Sequence, residues 1–226
     1  MKYQTYPAYK DSGVEWLGDV PEHWVIKPIK HLAELNPKKS EITDKNLMCN
    51  FVPMEKLKIG TILLDEIKSI SDVYDGTPIF QNDDILMAKV TPCFENNNIA
   101  IACDLENGMG FGSTEIYVFR VKQNVANNFL FYRLQESNFM AGSISAMTGA
   151  GGLKRVPAEV LNNYLIAIPD FEEQKKIADF INMQTAKIDN LIDKANSAIE
   201  LMQERRTALI SAAVTGKIDV RSWGDL

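Results

Sequence analysis

The stretch IPDFEEQKKIADFINMQTAKIDNLID, Ile168 to Asp193, decides how this 226-residue chain is read. Apolar residues recur at helical spacing from here to about Thr215. At ~1.5 Å rise per residue that is a rod of about 65 Å, longer than a small domain is wide. Asp170 can cap its N-terminus, with Glu173 three residues on to complete a capping box. Gly216 can end it. Ile177, Ile181, Gln184, Ile188, Leu191, Ala195, Ala198, Met202, Arg205 and Leu209 alternate spacings of four and three, which is a heptad seam. Ala178, Ile192, Ile199 and Ala213 widen it to one side. A domain built from the rest of the chain is too short to cover such a stripe. The bland reading, an amphipathic helix lying on its own domain, accounts for only part of it. The alternative is packing on a helix from another chain, with the interface at Ile177, Ile181, Ile188, Leu191, Ala195, Ala198, Met202 and Leu209. Gln184 and Arg205 are polar members of the seam, of the kind that fix register.

Residues before the rod alternate short apolar runs with turn signals. TILLDEIKSI (61–70), DILMAKV (84–90), NIAIAC (98–103), TEIYVFRV (114–121) and NYLIAI (163–168) read as strands. Clusters rich in Gly, Asn, Asp and Pro punctuate them. NNFLFYRLQESNFMAG (127–142) reads as one helix stopping at Gly142, and EVLNNY as a short second one. The expected fold is therefore α+β. A β-rich α/β domain (1–169) precedes a single long helix (170–216) and a short tail (217–226).

The composition, 46% hydrophobic and 24% charged, suits a globular fold. Three cysteines without a CxxC pair argue against a disulfide framework. No apolar run approaches the ~18 residues of a membrane span, and the N-terminus lacks the apolar core of a signal peptide. A soluble cytoplasmic protein is expected. The net charge of −6 is awkward for a nucleic-acid binder. Residues 1–170 carry 16 basic against 21 acidic side chains, so any DNA-binding face must be a local patch or lean on a basic partner.

No catalytic constellation is visible. His23 and His31, the only histidines, lack companions at metal-ligand spacing. GMGFGS (108–113) looks like a nucleotide loop but is followed by a strand pattern rather than a helix, so a turn is the better reading. The loops instead carry binding chemistry. KVTPCFENNN offers Lys89, Thr91, Asn96, Asn97 and Asn98; Asn can bond an adenine edge and Lys can reach guanine or phosphate. GSTE offers Ser113 and Thr114. GAGGLKR places Lys154 and Arg155 beside three glycines, where backbone can approach a phosphate. For each residue, ordinary turn chemistry is the competing explanation.

Three segments have a shared likeness. YKDSGVEWLGDVPEHW (9–24), IPDFEEQKKIADFI (168–181) and ERRTALISAAVTGKIDVR (204–221) resemble the specificity subunit of type I restriction–modification systems. That resemblance implies a non-catalytic subunit that reads double-stranded DNA through a target recognition domain. It also implies docking of a modification subunit, which transfers methyl groups from S-adenosylmethionine to adenine, and of a restriction subunit that can join to cleave. No cofactor is expected on this chain itself. Members usually hold two recognition domains and two long helices packed antiparallel, each domain reading half of a split target. This chain carries one of each. Two copies pairing through an antiparallel coiled coil, or this chain with another half-subunit, would rebuild the whole. Two other classes stay open: a coiled-coil scaffold with a protein-binding domain, and a stand-alone DNA methyltransferase, whose cofactor loop is missing here.

Overall fold

The computed structural model describes residues 3–39, 42 and 44–224. The chain divides into two compact units, Met1–Ala178 and Asp179–Leu226.

In the first unit two four-stranded sheets carry the core. One has the order Ile99–Ile101, Ile85–Ala88, Ile116–Val121, Ala33–Leu35, with every neighbour antiparallel. The strand Ile85–Ala88 is apolar throughout because this sheet is buried on both faces. Ile85 and Met87 point into one core with Phe119, Leu130, Phe139, Leu161 and Ile166. Leu86 and Ala88, one residue out of phase, point into a second core with Val52, Leu57, Phe80 and Val118. Where Asp84 opens this strand, its buried carboxylate takes two hydrogen bonds from Arg120, Nε to Oδ1 at 2.9 Å and Nη2 to Oδ2 at 2.6 Å.

The other sheet has the order Ile67–Ser69, Met48–Val52, Met109–Gly112, Ile79–Gln81, with one parallel pair between Met48–Val52 and Met109–Gly112. Here the structure corrects the sequence reading. Most of GMGFGS is an inner strand, not a turn. A side chain at Gly110 would meet the ring of Phe80 at 2.4 Å, so the glycine is there to seat that ring. Residues 61–70 are also not one strand but two, Thr61–Ile62 and Ile67–Ser69.

Helices cover the first core. The pattern over 127–142 is two helices, Asn127–Arg133 and Ser137–Ser145, rather than one. The break falls where Arg133 Nη1 meets Glu136 Oε2 at 2.5 Å. Burial lowers the pKa of Arg133 and raises that of Glu136. A short helix, Ala158–Asn163, precedes the strand Leu165–Ile168, which pairs antiparallel with Val25–Pro28.

The long helix runs Phe171–Val214. Asp170 caps it, accepting from the Glu173 N–H at 2.9 Å. The reciprocal half of the expected capping box is absent, because the Glu173 carboxylate is engaged elsewhere. It accepts from Tyr6 Oη at 2.7 Å and Trp24 Nε1 at 3.1 Å, and lies 2.7 Å from His23 Nε2. Burial alone would hinder ionisation of Glu173, but these three partners outweigh it and hold the carboxyl below the usual range. Burial, with the bond to Glu173, pushes the Tyr6 phenol up to about 12. Two of the three sequence segments singled out above therefore meet at one carboxylate. Gln174, also buried, accepts from the Ala126 N–H at 2.9 Å and donates to Pro169 O at 3.0 Å. Ala178 is buried in the first core and Ile177 packs against it. Ile177 is thus a contact of its own domain and leaves the set of residues available to a partner helix.

In the second unit the helix continues to Val214. Ile188, Leu191, Met202 and Leu209 are all more than half exposed; Ala195 and Ala198 are exposed and Ile181 is half-buried. Gly216, at φ 73°, closes the helix as expected: the Lys217 N–H reaches Ala212 O at 2.9 Å and the Gly216 N–H reaches Ala213 O at 3.2 Å. Among the described residues, no helix is long and apolar enough to cross a membrane.

Candidate nucleic-acid interface

The nine loop residues picked out by sequence fall on three segments that the fold joins. The hub is the end of the Ile85–Ala88 strand. The Lys89 N–H bonds Glu115 O at 3.0 Å, and Lys89 O accepts from the Val156 N–H at 3.0 Å. Val90 bridges Arg155, and the Thr91 N–H bonds Lys154 O at 3.0 Å. The segments 89–98, 113–115 and 148–155 therefore form one surface.

The third segment is a hairpin that the sequence reading did not foresee. Thr148–Ala150 pairs with Leu153–Arg155, and all its residues are exposed. Gly151 and Gly152 take positive φ at its turn. Gly149 is required for a different reason: a Cβ there would lie 2.2 Å from Leu153 O. Lys154 sits on the second strand, exposed, with its ammonium unpaired among the described residues. Arg155 differs. Its guanidinium forks onto Glu115, Nε to Oε2 at 3.0 Å and Nη2 to Oε1 at 2.7 Å. Those bonds hold the Glu115 carboxyl below its ordinary range and raise the pKa of Arg155. Arg155 is thus already neutralised by its own domain. Lys89 is half-buried, its Nζ 5.3 Å from the centre of the Tyr117 ring, whose hydroxyl donates to Val156 O at 2.7 Å.

The Asn-rich turn divides its three members. Asn96 is exposed. Asn97 takes φ 56° and turns inward; its Nδ2 donates to Gln135 Oε1 at 3.2 Å and its Oδ1 is buried. This amide ties the turn to the domain and is not presented to a base edge. Asn98 is half-buried, and its backbone closes the turn on Cys93 O at 3.0 Å. Ser113 is half-buried and its Oγ accepts from the Glu115 N–H at 3.2 Å, while Thr114 is exposed. Of the nine residues, Lys154, Asn96 and Thr114 are the exposed ones whose side chains have no partner among the described residues.

A second basic group escaped the sequence reading. Lys39 and Lys45 flank Tyr74, with Nζ 4.7 Å and 4.4 Å from the ring centre, and Lys68 lies 4.0 Å over Phe51. The signal was Lys39 in the NPKKS run and Lys45, which meet Tyr74 only once the chain is folded. Among the described residues no group of three or more His, Cys, Asp or Glu side chains is arranged to hold a metal.

The fold is thus a mixed α+β domain with a loop-built polar surface, followed by a long helix with an uncovered apolar stripe. Residues 21–201 match the family model described as type I restriction modification DNA specificity domain. The chain belongs to that family. It is 33% identical over 189 residues to the EcoAI specificity subunit of Escherichia coli, covering 82% of this chain and 32% of that protein. It is 31% identical over 208 residues to the EcoEI specificity subunit of the same species, covering 91% of this chain and 35% of that protein. Both relatives bear names of specificity subunits. The chain spans about a third of their length. Among solved structures it is similar to a chain from work on complex assembly and conformational transition of the type I R-M system, with a TM-score of 0.67 at 14% identity, covering 91% of this chain and 48% of that one. That likeness supports the fold.

Proposed function

We propose that this chain is a non-catalytic, DNA-reading specificity component of a type I restriction–modification complex, and that it reads one half of a bipartite target. The observation that carries this reading is the match to the DNA specificity model, which extends from the β-rich domain into the long helix. The domain is the reader, and Lys154, Asn96 and Thr114 are its leading contacts with double-stranded DNA. Lys89, Thr91, Asn98, Ser113 and Arg155 shape the same surface, with Asn97 as its internal tie. The helix pairs antiparallel with a second copy, or with another half-subunit, as a coiled coil that fixes half-site spacing. Ile181, Ile188, Leu191, Ala195, Ala198, Met202 and Leu209 form that seam. A modification subunit docks on the assembly and brings S-adenosylmethionine, and a restriction subunit is a further partner. The net charge of −6 fits such a division, with much of the phosphate neutralisation supplied by the partners. The working compartment is the cytoplasm.

The test is to map methylated adenines in DNA exposed to this protein together with its modification subunit. A pair of identical readers related by a two-fold axis is expected to return an inverted repeat with a fixed gap. Methylation at single, unpaired motifs would overturn the bipartite reading.

A further inference from the structure

Two antiparallel helices can pair in several registers one heptad apart, and each register places different residues on the two-fold axis. We infer that two copies of this chain pair with the axis between Asn196 and Ser197, so that Ala195 of one copy packs against Ala198 of the other. This deepens the dimer reading given above and rests on it.

Three observations converge on that register. The first is overlap. The first unit ends at Ala178, with Ile177 and Ala178 packed into its own core, and the helix ends at Val214. The segment left over, Asp179–Val214, has its midpoint between Asn196 and Ser197. An axis there covers the whole free segment with itself. Moving the axis half a heptad towards the N-terminus would lay the second helix along 172–178, part of which is already buried in the domain. Moving it the other way would leave Ile181 uncovered.

The second observation is the core. Antiparallel coiled coils stack position a against position d. In this register the central layers are Ala195 with Ala198, flanked by Leu191 with Met202, Ile188 with Arg205, Gln184 with Leu209, and Ile181 with Ala212. Four alanines at the axis allow the short end of the usual ~8–10 Å interaxial range. The larger side chains then close each side.

The third observation is the flank. Ile192 and Ile199, both about half exposed in the single chain, become partners on one edge of the seam. On the other edge Lys194 faces Leu201 and Lys187 faces Ala208, with no like-charged pair. The register shifted towards the N-terminus instead puts Lys194 against its own copy at the axis. The register shifted towards the C-terminus sets Ile192 against Arg206, whereas the inferred one leaves Arg206 facing Thr185. At ~1.5 Å per residue the inferred axis places the two helix starts, at Phe171, about 75 Å apart. Each alternative register changes that span by about 10 Å, roughly three base pairs at ~3.4 Å each.

Cysteine cross-linking of the full-length protein under mild oxidation reads the register directly, with the unsubstituted chain as the control for native thiols. A disulfide needs Cα atoms within ~7 Å. The double variant A195C/A198C is expected to run mostly as a covalent dimer on non-reducing gels, while A195C and A198C singly stay monomeric there. Linking by L191C/A195C or A198C/M202C, with A195C/A198C unlinked, would overturn the register while leaving an antiparallel dimer. Linking by A195C alone would show parallel helices and overturn it too. If no variant links and the unsubstituted protein sediments as a monomer, the dimer reading itself fails, and the register with it.

Discussion

The β-rich unit and the free helix use the same kinds of apolar residue to opposite ends. In the first, Ile85, Leu86, Met87 and Phe119 are wholly or almost wholly buried, and alternation along one strand feeds two cores. In the second, Ile188, Leu191, Met202 and Leu209 repeat as regularly yet remain more than half exposed. The difference is one of geometry. A strand inside a sheet meets neighbours on both faces from within its own unit, whereas the second unit holds, among the described residues, one helix and no other helix or strand to pack on it. The domain satisfies itself; the helix holds an unspent driving force of ~25 cal/mol per Å² of apolar area.

The sharpest way to break this contrast is to charge the stripe. In the proposed pair, I188E/L191E would put four carboxylates into the interface, and the dimer dissociation constant is expected to rise by roughly 100-fold or more, since each buried charge costs on the order of a few kcal/mol. Sedimentation velocity reads the loss, and the thermal midpoint of the domain should not move. An unchanged dimer would remove the stripe from the interface.

The mirror-image change attacks the domain alone. G110A forces a methyl group against the Phe80 ring, and overpacking of this kind costs about 1–3 kcal/mol. Denaturant unfolding is expected to show the loss with the sedimentation of the folded protein preserved. A variant as stable as the original would mean that the ring moves freely.

A smaller effect is expected at the junction, from E173Q. It leaves the shape but removes a charge that serves Tyr6, His23 and Trp24, which is expected to cost about 1 kcal/mol at neutral pH. The carboxyl is held below its unfolded value, so its contribution is present above that value, near pH 4.3, and disappears as pH falls through the lower folded value. The two proteins should therefore converge in stability in acid. The Tyr6 phenol works in the other direction: its contribution is complete below its ordinary value near pH 10 and is lost as pH rises towards 12. Parallel acid curves for the two proteins would show that the charge has no part in the tie.

The smallest change is expected from K154A, in complex with the modification subunit. DNA binding should weaken by a few-fold for all sequences, with the salt slope falling by about 0.9 for one lost phosphate contact. A sequence-selective loss would make Lys154 a base reader instead.

The long helix was almost fully legible because its evidence is local and repeated: a 3.5-residue period, Asp170 before it, Gly216 after it. The central strands were legible for the same reason. What escaped depended on partners distant in sequence. Gly110 reads as a turn until Phe80 is placed against it. The 127–142 pattern holds no Gly or Pro at the break between its two helices. Ile177 continues the heptad, and only the fold puts it in a core. At the candidate interface the loops were found but their side-chain directions were not, because the fork of Arg155 on Glu115 and the inward turn of Asn97 onto Gln135 are set across 40 and 38 residues of chain. The Lys39, Lys45 and Tyr74 group was invisible for the same reason.

The chain has three tryptophans, and two of them, Trp16 and Trp24, lie in the β-rich unit. The third, Trp223, follows the Gly216 stop and is 87% exposed, its backbone held by a turn onto Val220. It is a native fluorophore placed where the helix ends. With the 45%-exposed Trp16 and the half-buried Trp24 changed to Phe (W16F/W24F), Trp223 is the remaining emitter, and a blue shift on mixing with a tryptophan-free companion is expected when this end of the molecule is covered.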